Sequence, residues 1–420
     1  MVADVADVSS PDPEAPKRKG KVKRKHTVGR VVLVASVLLA LVTALGVVFT
    51  YRHLNGNLTT IGGLDELDNR PEVVYEGDGK PLNILVMGSD SRAGANGIDS
   101  QDPANGARSD TTVILHISAD RDRAYGISIP RDSVVDRPTC GDDNEIPAET
   151  GAKWNVAFAV GGPLCTVEQV EQTTGIRIDD FVVIDFNGFK EMVDAVGGVE
   201  ICVPKEINDP KHQIFVPAGT NELRGDQALD YVRARYTVGT QSDLGRIKRQ
   251  QNFMASMINR VVSKGTLARP DRVVRFLNAA TKSLDVSEGL SSVRALADLA
   301  LQLRSTGLDE IKFITVPWEY DDDYDVLWLP SSKSLFDAAR KDEPLSAKLS
   351  SDAIDAGAPP GSEATPSESP SETGSPSESP SESESPSETA SETPSETPSE
   401  TPSETSPEKA QEAADYGLCA

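Results

Sequence analysis

From residue 81 onward, short unbroken apolar runs alternate with segments of helical period. Strands covered by helices on both faces produce that pattern, because neither face of the strand meets water. The runs predict strands at 82–87, 112–117, 124–129, 181–186 and 311–316. The periodic segments predict helices at 166–174, 188–196, 226–234, 245–262, 270–282 and 290–303. Within 245–262, Ile247, Met254, Ile258 and Val261 fall on one stripe and so face a core. Arg246, Arg249 and Gln250 fall elsewhere on that helix, three and four residues apart, a spacing that lets them meet one ligand. Gly161-Gly162-Pro163, Gly197-Gly198 and residues 217–219 mark turns.

A different pattern precedes this alternation. Residues 31–50 form an uncharged apolar run long enough to cross the hydrocarbon core as a helix. Lys17, Arg18, Lys19, Lys21, Lys23, Arg24, Lys25 and Arg30 lie before it, which places the N-terminus in the cytoplasm and everything after Tyr51 outside. A cleaved signal peptide is the rival reading, but the run is longer than the usual apolar core of about seven to fifteen residues, and no Ala-x-Ala exit follows. The expected layout is a cytoplasmic basic N-terminus (1–30), a transmembrane helix (31–50), a stalk (51–80), an extracellular catalytic domain (81–345) and a disordered tail (346–420).

Charge narrows the options. The 420 residues carry 42 Lys and Arg against 66 Asp and Glu, a formal net charge of −24, which excludes a generally basic nucleic-acid binder. Half of that excess comes from 361–408, which holds 12 Glu, no Lys or Arg, and hardly a large apolar side chain. Its Ser-Glu-Thr-Pro repeats cannot offset the entropy of ordering, so an extended spacer is expected, either as solvated filler or with hydroxyls that carry sugars or a course through a wall matrix.

Histidine and cysteine chemistry have little material to work with. The four cysteines, Cys140, Cys165, Cys202 and Cys419, contain no Cys-x-x-Cys pair, so a zinc site is not expected. His116 in an apolar run and His212 in a polar turn read as structural. Four cysteines permit three pairings. Cys140 to Cys165, bracketing a Gly, Asp and Pro-rich loop, is the preferred one, with Cys202 simply buried in an apolar strand.

Polar candidates cluster at strand ends. Asp90 and Arg92 follow the first strand, Arg108 and Asp110 precede the second, and Arg131 and Asp132 follow the third. Open α/β sheets bind ligands at that carboxyl edge. No Gly-x-x-x-x-Gly-Lys is present, so the first turn is not a Walker A loop. Lys153 in KWN, Arg233 and Arg235 in YVRAR, and Asp243, Arg246 and Gln250 in DLGRIKRQ add further candidates. Any single arginine more often pairs with surface carboxylates. A recurrent set beside aspartates suits a diphosphate, whose oxygens match the planar guanidinium fork. Asp90 and Asp110 suit a hard cation such as Mg²⁺ or Mn²⁺. Arg233 and Arg235, two apart, cannot share a helical face, so the helix ends there or only one reaches the ligand.

Read in order, NILVMGSDSR, RSDTTVILHIS, ISIPRDS, KWNVAFAVGGP, IDDFVVIDFNGFKEMVDAVGGVEICVP, GDQALDYVRARY and DLGRIKRQQ resemble the LytR-CpsA-Psr family of membrane-anchored cell-wall glycopolymer ligases. The resemblance covers about 83–251 and fades beyond about 316, and the loop at 91–108 is long and polar. It implies a three-layer α/β/α domain with a central mixed sheet, and an apolar tunnel for a polyprenyl chain with the diphosphate at its mouth. It implies transfer of a glycopolymer to peptidoglycan, with a polyprenyl-diphosphate-linked glycan as donor. By the same carry-over Asp90 and Asp110 hold Mg²⁺, while Arg108, Arg131, Lys153, Arg233, Arg235, Arg246 and Gln250 bind the diphosphate. Asp243 matches a further family position, and with Arg131, Asp110 and Asp90 it completes the expected catalytic set. Two other readings compete: a non-catalytic binder of lipid-linked glycan, and a transcriptional attenuator. The second is at odds with a folded domain on the far side of the membrane from DNA and with the lack of a helix-turn-helix signal.

Overall fold

A computed structural model describes residues 25–89, 109–141, 145–238, 243–262, 269–362 and 407–419. The chain divides into two units, Met1–His53 and Leu54–Ala420. The first is represented by helix α1 (Lys25–Asn55), whose stretch Val28–Asn55 is long and apolar enough to cross a membrane. Its large side chains, from Val31 to Phe49, are exposed, as expected of a helix with no protein around it. The basic residues 17–24 lie outside the described residues.

The second unit is built on one mixed sheet. Its strands are β1 (Thr59–Ile61), β2 (Leu82–Ser89), β3 (Ser109–Ile117), β4 (Ala124–Ile129), β7 (Asp180–Asp185), β12 (Leu284–Ser287), β13 (Ile311–Thr315) and β16 (Ile354–Asp355), in the order β1-β12-β7-β2-β3-β4-β13-β16. β2 runs parallel to β7, and β4 parallel to β13. β3 runs antiparallel to both β2 and β4. As a result β2, β4, β7 and β13 all end at the edge where β3 begins. Four small hairpins complete the strands: β5 (Val134–Arg137) with β6 (Glu149–Lys153), β8 (Val199–Val203) with β11 (Gly219–Leu223), β9 (Ile207–Asp209) with β10 (Ile214–Val216), and β14 (Trp318–Tyr320) with β15 (Val326–Trp328).

Helices cover both faces of the sheet. They are α2 (Val156–Thr174), α3 (Phe186–Val196), α4 (Gly225–Arg233), α5 (Asp243–Val262), α6 (Pro270–Ser283), α7 (Val293–Thr306), α8 (Ser332–Lys341), the one-turn α9 (Ala347–Ser350) and α10 (Pro407–Asp415). On one face Leu85, Met87, Ile114 and Ile127 pack under Phe158 and Val167 of α2 and Leu335 and Phe336 of α8. On the other, Ile84, Val182 and Val286 meet Met192 of α3 and Ala279 and Ala280 of α6, while Ile117, Ile311 and Phe313 meet Ala255 of α5. This is the expected three-layer α/β/α arrangement. The strands read as unbroken apolar runs because helices bury both faces of the sheet.

The sequence divisions at 80 and 345 need correction. β1 and Leu64, both in the expected stalk, join the sheet and its core, and Arg70 pairs with buried Glu171 at 2.7 Å. Past 345, β16 adds to β13, and Leu418 after α10 is buried in the same core as Ile354. A three-residue strand and a lone leucine carry no periodicity to read. The Ser, Glu and Pro-rich residues 363–406 lie outside the described residues, between two segments that belong to the folded unit.

Cys140 is bonded to Cys165, as preferred from the sequence, and Cys202 is bonded to Cys419. Cys202 is therefore not a simple buried thiol. The second bridge spans 217 positions and ties the α10 segment to β8. Replacing Cys202 and Cys419 together by serine is expected to lower unfolding free energy by roughly 2 to 4 kcal/mol, read as an earlier denaturant midpoint in detergent.

Candidate active site

The shared carboxyl edge gathers most of the described candidates. Asp110 is the second residue of β3, at the irregularity between the pairs Gly88–Thr111 and Ser89–Ser109, and Arg131 follows β4. The backbone of Arg131 is fixed by its carbonyl, which accepts from Asn155 N at 3.2 Å, while Trp154 N donates to Ser133 O at 2.8 Å. Trp154 is fully buried and its Nε1 donates to Thr112 Oγ1 at 3.2 Å, so the KWN segment braces the Arg131 turn against β3.

From the other side, α5 brings its first turn to the same place. Gln251 anchors that helix by donating to Ser128 Oγ on β4 at 2.9 Å and Thr315 Oγ1 on β13 at 3.1 Å. Asp243 and Arg246 are thereby set against Arg131. Arg131 Nη1 lies 2.5 Å from Asp110 Oδ1, and its Nε is 3.3 Å from Asp243 Oδ1 and 3.5 Å from Asp132 Oδ2. Arg246 Nη2 is 2.9 Å from Asp243 Oδ1 and donates to Asp110 O at 3.2 Å. Asp243 is 4% exposed and sits between two guanidinium groups, yet its Oδ2 has no hydrogen-bond partner among the described residues.

Burial, carboxylates and neighbouring guanidinium groups act against one another in this cluster. Burial opposes the charge on Arg131, but Asp243 and Asp110 outweigh it and hold the group above the ordinary guanidinium value. Burial depresses Arg246; Asp243 pulls back, while neighbouring Arg131 and Arg235 deepen the fall. A phosphate placed among Arg131, Arg235 and Arg246 would offset that mutual repulsion. The N-terminal end of the twenty-residue α5 adds its positive dipole end to the same spot.

The α4 helix ends at Arg233, with Ala234 as its extended C-cap, which meets the geometric condition for Arg233 and Arg235 to diverge from a common helix. Arg235 comes within electrostatic range of Arg246. Arg233 instead stacks over Phe186 at 4.9 Å. Gln250 Nε2 donates to Val232 O at 3.2 Å, joining α5 to the end of α4. Lys153 is half exposed and paired with Asp325 at 3.0 Å. The three-residue set Arg246, Arg249 and Gln250 does not act as one face: Arg249 is 1% exposed and turns inward, donating to Tyr416 O at 2.9 Å and to Ala234 O. Burial draws its pKa down to about 10. Asp90, Arg92 and Arg108 lie outside the described residues.

Behind the cluster, the sheet face under α5 to α7 is loosely covered. Val86 and Leu115 belong to the two middle strands, yet they are only partly buried, as are Ile184 and Met254, Met257 and Ile258 of α5. Dense packing would bury apolar side chains on central strands completely. Partly buried apolar side chains therefore form a seam, packed against the core, between sheet and helices. Nothing in the sequence marked the β14–β15 hairpin as a feature of the site, because its WEYDDDYDVLW run is aromatic and acidic without a strand-like apolar run.

The fold is shared by solved structures. One from Streptococcus agalactiae superposes with a TM-score of 0.53 at 24% identity, over 64% of this chain and 90% of that one. A LytR-Csp2A-Psr enzyme from Actinomyces oris gives 0.51 at 19% identity, over 70% and 98%. The chain belongs to the LytR_cpsA_psr family, which it matches over residues 51–342, beyond both ends of the segments at 83–251 that carry the resemblance. Among curated relatives it is 39% identical over 249 residues to the probable cell wall biosynthesis protein LcpB of Corynebacterium glutamicum, covering 58% of this chain and 56% of the relative. It is 31% identical over 329 residues to the cell wall biosynthesis protein LcpA of the same organism, covering 70% and 60%. The matches thus span little more than half the length of these two relatives. TagV of Bacillus subtilis, named a polyisoprenyl-teichoic acid–peptidoglycan teichoic acid transferase, is 29% identical over 68% of this chain and 69% of its own.

Proposed function

We propose that this chain is a membrane-anchored phosphotransferase that moves a glycopolymer from a polyprenyl-diphosphate carrier to peptidoglycan. The observation that carries this reading is the meeting of Arg131, Arg246 and Arg235 with Asp110 and Asp243 at one sheet edge, beside an apolar seam. A site for a lipid with a doubly phosphorylated head needs both features. The name of TagV supports polymer transfer as the outcome. In this reading α1 is the anchor, the basic N-terminus is cytoplasmic, and the folded unit lies outside the cell.

The reaction is attack by a peptidoglycan hydroxyl, on a muramyl sugar, at the phosphorus joined to the glycan. A phosphodiester to the acceptor forms, the bond from that phosphorus to the bridging oxygen breaks, polyprenyl phosphate leaves, and the hydroxyl proton passes to a base. Negative charge grows on the leaving phosphate. Arg131, Arg235 and Arg246 bind and neutralise it, with Arg108, Arg233, Lys153 and Gln250 as the further phosphate ligands that the family resemblance implies. Asp243 sets the angle of both Arg131 and Arg246. Asp110 offers hard oxygens of the kind that suit Mg²⁺ or Mn²⁺, and the buried Oδ2 of Asp243, without a hydrogen-bond partner among the described residues, leaves negative character nearby. Asp110 with Asp90 would hold the ion. When bound, it supplies charge neutralisation on the phosphate oxygens.

The test uses full-length protein in detergent with Mg²⁺, a labelled polyprenyl-diphosphate-linked saccharide and peptidoglycan fragments. Label on peptidoglycan together with free polyprenyl phosphate is the expected result. Binding without bond cleavage would reduce the chain to a holder of lipid-linked glycan, and cleavage indifferent to the fragments would make it a diphosphatase.

A further inference from the structure

We propose that the β14–β15 hairpin and the cleft at its base form a binding track for the acceptor, a chain of neutral pyranose sugars. This rests on the transferase reading above and names the substrate recognised beside its phosphate cluster. A cleft of about 480 Å³ lies at the end of β13, lined by Leu244, Lys248, Thr315, Trp318, Ser334 and Tyr416 among others. Leu244 directly follows Asp243, so the cleft begins at the cluster. Its size and its mix of aromatic rings with scattered hydroxyl, amine and carboxylate groups suit a small polar ligand with apolar faces.

From Trp318 a file of rings leads outward. Trp318 meets Tyr320 edge-on with centroids 4.8 Å apart, and Tyr324 follows at 6.3 Å. Tyr320 is 40% exposed and Tyr324 81% exposed, large apolar surfaces left to solvent in one row. Tyr324 is held outward by a left-handed backbone with φ of 62°, and Asp321 Oδ1 fixes the turn by accepting from Asp323 N at 3.0 Å and Asp325 N at 2.8 Å. A rigid row of ring faces stacks against the C–H faces of pyranoses, whose hydrogens are drawn to the negative face of the aromatic quadrupole.

The hairpin is fastened to the catalytic edge. Asp325 pairs with Lys153, Val326 N donates to Asp132 O at 3.4 Å, and Trp328 Nε1 donates to Ser133 Oγ at 2.9 Å. Tyr320 feels the site directly: burial, then Asp243, raises its pKa.

Two features choose the acceptor over the donor. The attacking and leaving oxygens of phosphoryl transfer lie roughly in line. The seam for the leaving polyprenyl phosphate is on the α5 to α7 face of the sheet, whereas Trp328 and the hairpin base pack with the α2 and α8 face, and the cleft joins the hairpin base to the first turns of α5 at Leu244 and Lys248. The hairpin is therefore on the side from which the hydroxyl approaches. Its carboxylates, Glu319, Asp321, Asp322, Asp323 and Asp325, also repel a polyanionic polymer and tolerate an uncharged sugar chain, to which carboxylates offer hydrogen-bond acceptors.

Steady-state transfer by the full-length protein in detergent tests this, with peptidoglycan glycan fragments varied at saturating donor and then the reverse. Tyr320→Ala and Tyr324→Ala are each expected to raise the acceptor KM roughly three- to tenfold, leaving donor KM and acceptor-free donor cleavage within about twofold of wild type. Tyr320→Phe, which keeps the ring, is expected to behave as wild type. Unchanged acceptor KM in both alanine variants, or a rise in donor KM instead, overturns the proposal. Should wild type transfer nothing, the transferase reading fails separately, and calorimetric titration with an N-acetylhexosamine tetrasaccharide decides the track: binding lost in Tyr324→Ala upholds it, and no wild-type binding overturns it.

Discussion

Arg131→Ala is expected to lower kcat/KM for glycan transfer by about a thousandfold, the loss typical of removing a charged donor from a phosphoryl-transfer site. Arg131 is the hub of the cluster, in contact with Asp110, Asp132 and Asp243 at once, and its turn is braced by the buried Trp154 segment. Its carboxylate partners keep it charged despite burial. Truncation removes that charge where leaving-group charge grows and frees Asp243 and Asp110 to repel the substrate. Arg131→Lys is expected to recover only a small part, because an ammonium cannot span two phosphate oxygens in a planar fork. Initial rates on detergent-purified variants, with melting curves to verify folding, check both; a full-rate Arg131→Ala enzyme contradicts the assignment.

The second large effect is on stability. Asp243→Ala removes a buried carboxylate from between Arg131 and Arg246 and leaves two guanidinium groups facing each other out of water. Breaking a buried pair in this way costs about 3 to 5 kcal/mol, visible as a lowered denaturant midpoint. Inorganic pyrophosphate supplies the missing negative charge, so it is expected to raise the midpoint of Asp243→Ala more than that of wild type. Equal stabilisation of the two proteins would mean that the anion binds elsewhere.

Much of this arrangement was legible before any coordinates. Strands β2, β3, β4, β7 and β13 are continuous apolar runs because helices bury both faces, and their polar ends gave away Asp110 and Arg131. Two arginines two residues apart cannot share a helical face, so either the helix ended near them or only one reached the ligand, and α4 does end at Arg233. Less legible was anything set by contacts distant in sequence. β1 and β16 are strands because neighbours accept them, and their two or three residues carry no period. Arg249 sits on the polar side of α5 by spacing, yet its partners are Ala234 O and Tyr416 O, the latter 167 positions away. The same α10 segment carries Cys419, whose partner Cys202 no spacing rule selects. The aromatic hairpin was passed over because alternating Asp and Tyr resembles a solvated turn until its rings are seen in a row beside the cluster.

The central claim is that dispersed arginines converge on one diphosphate headgroup with its lipid in the adjoining seam. Comparing the affinities of full-length protein for polyprenyl diphosphate and polyprenyl monophosphate, in wild type and Arg246→Ala, tests it most directly. The account predicts that wild type prefers the diphosphate by at least about tenfold and that Arg246→Ala loses most of that preference. Equal affinity for the two lipids in wild type, or a preference untouched by the substitution, would contradict it.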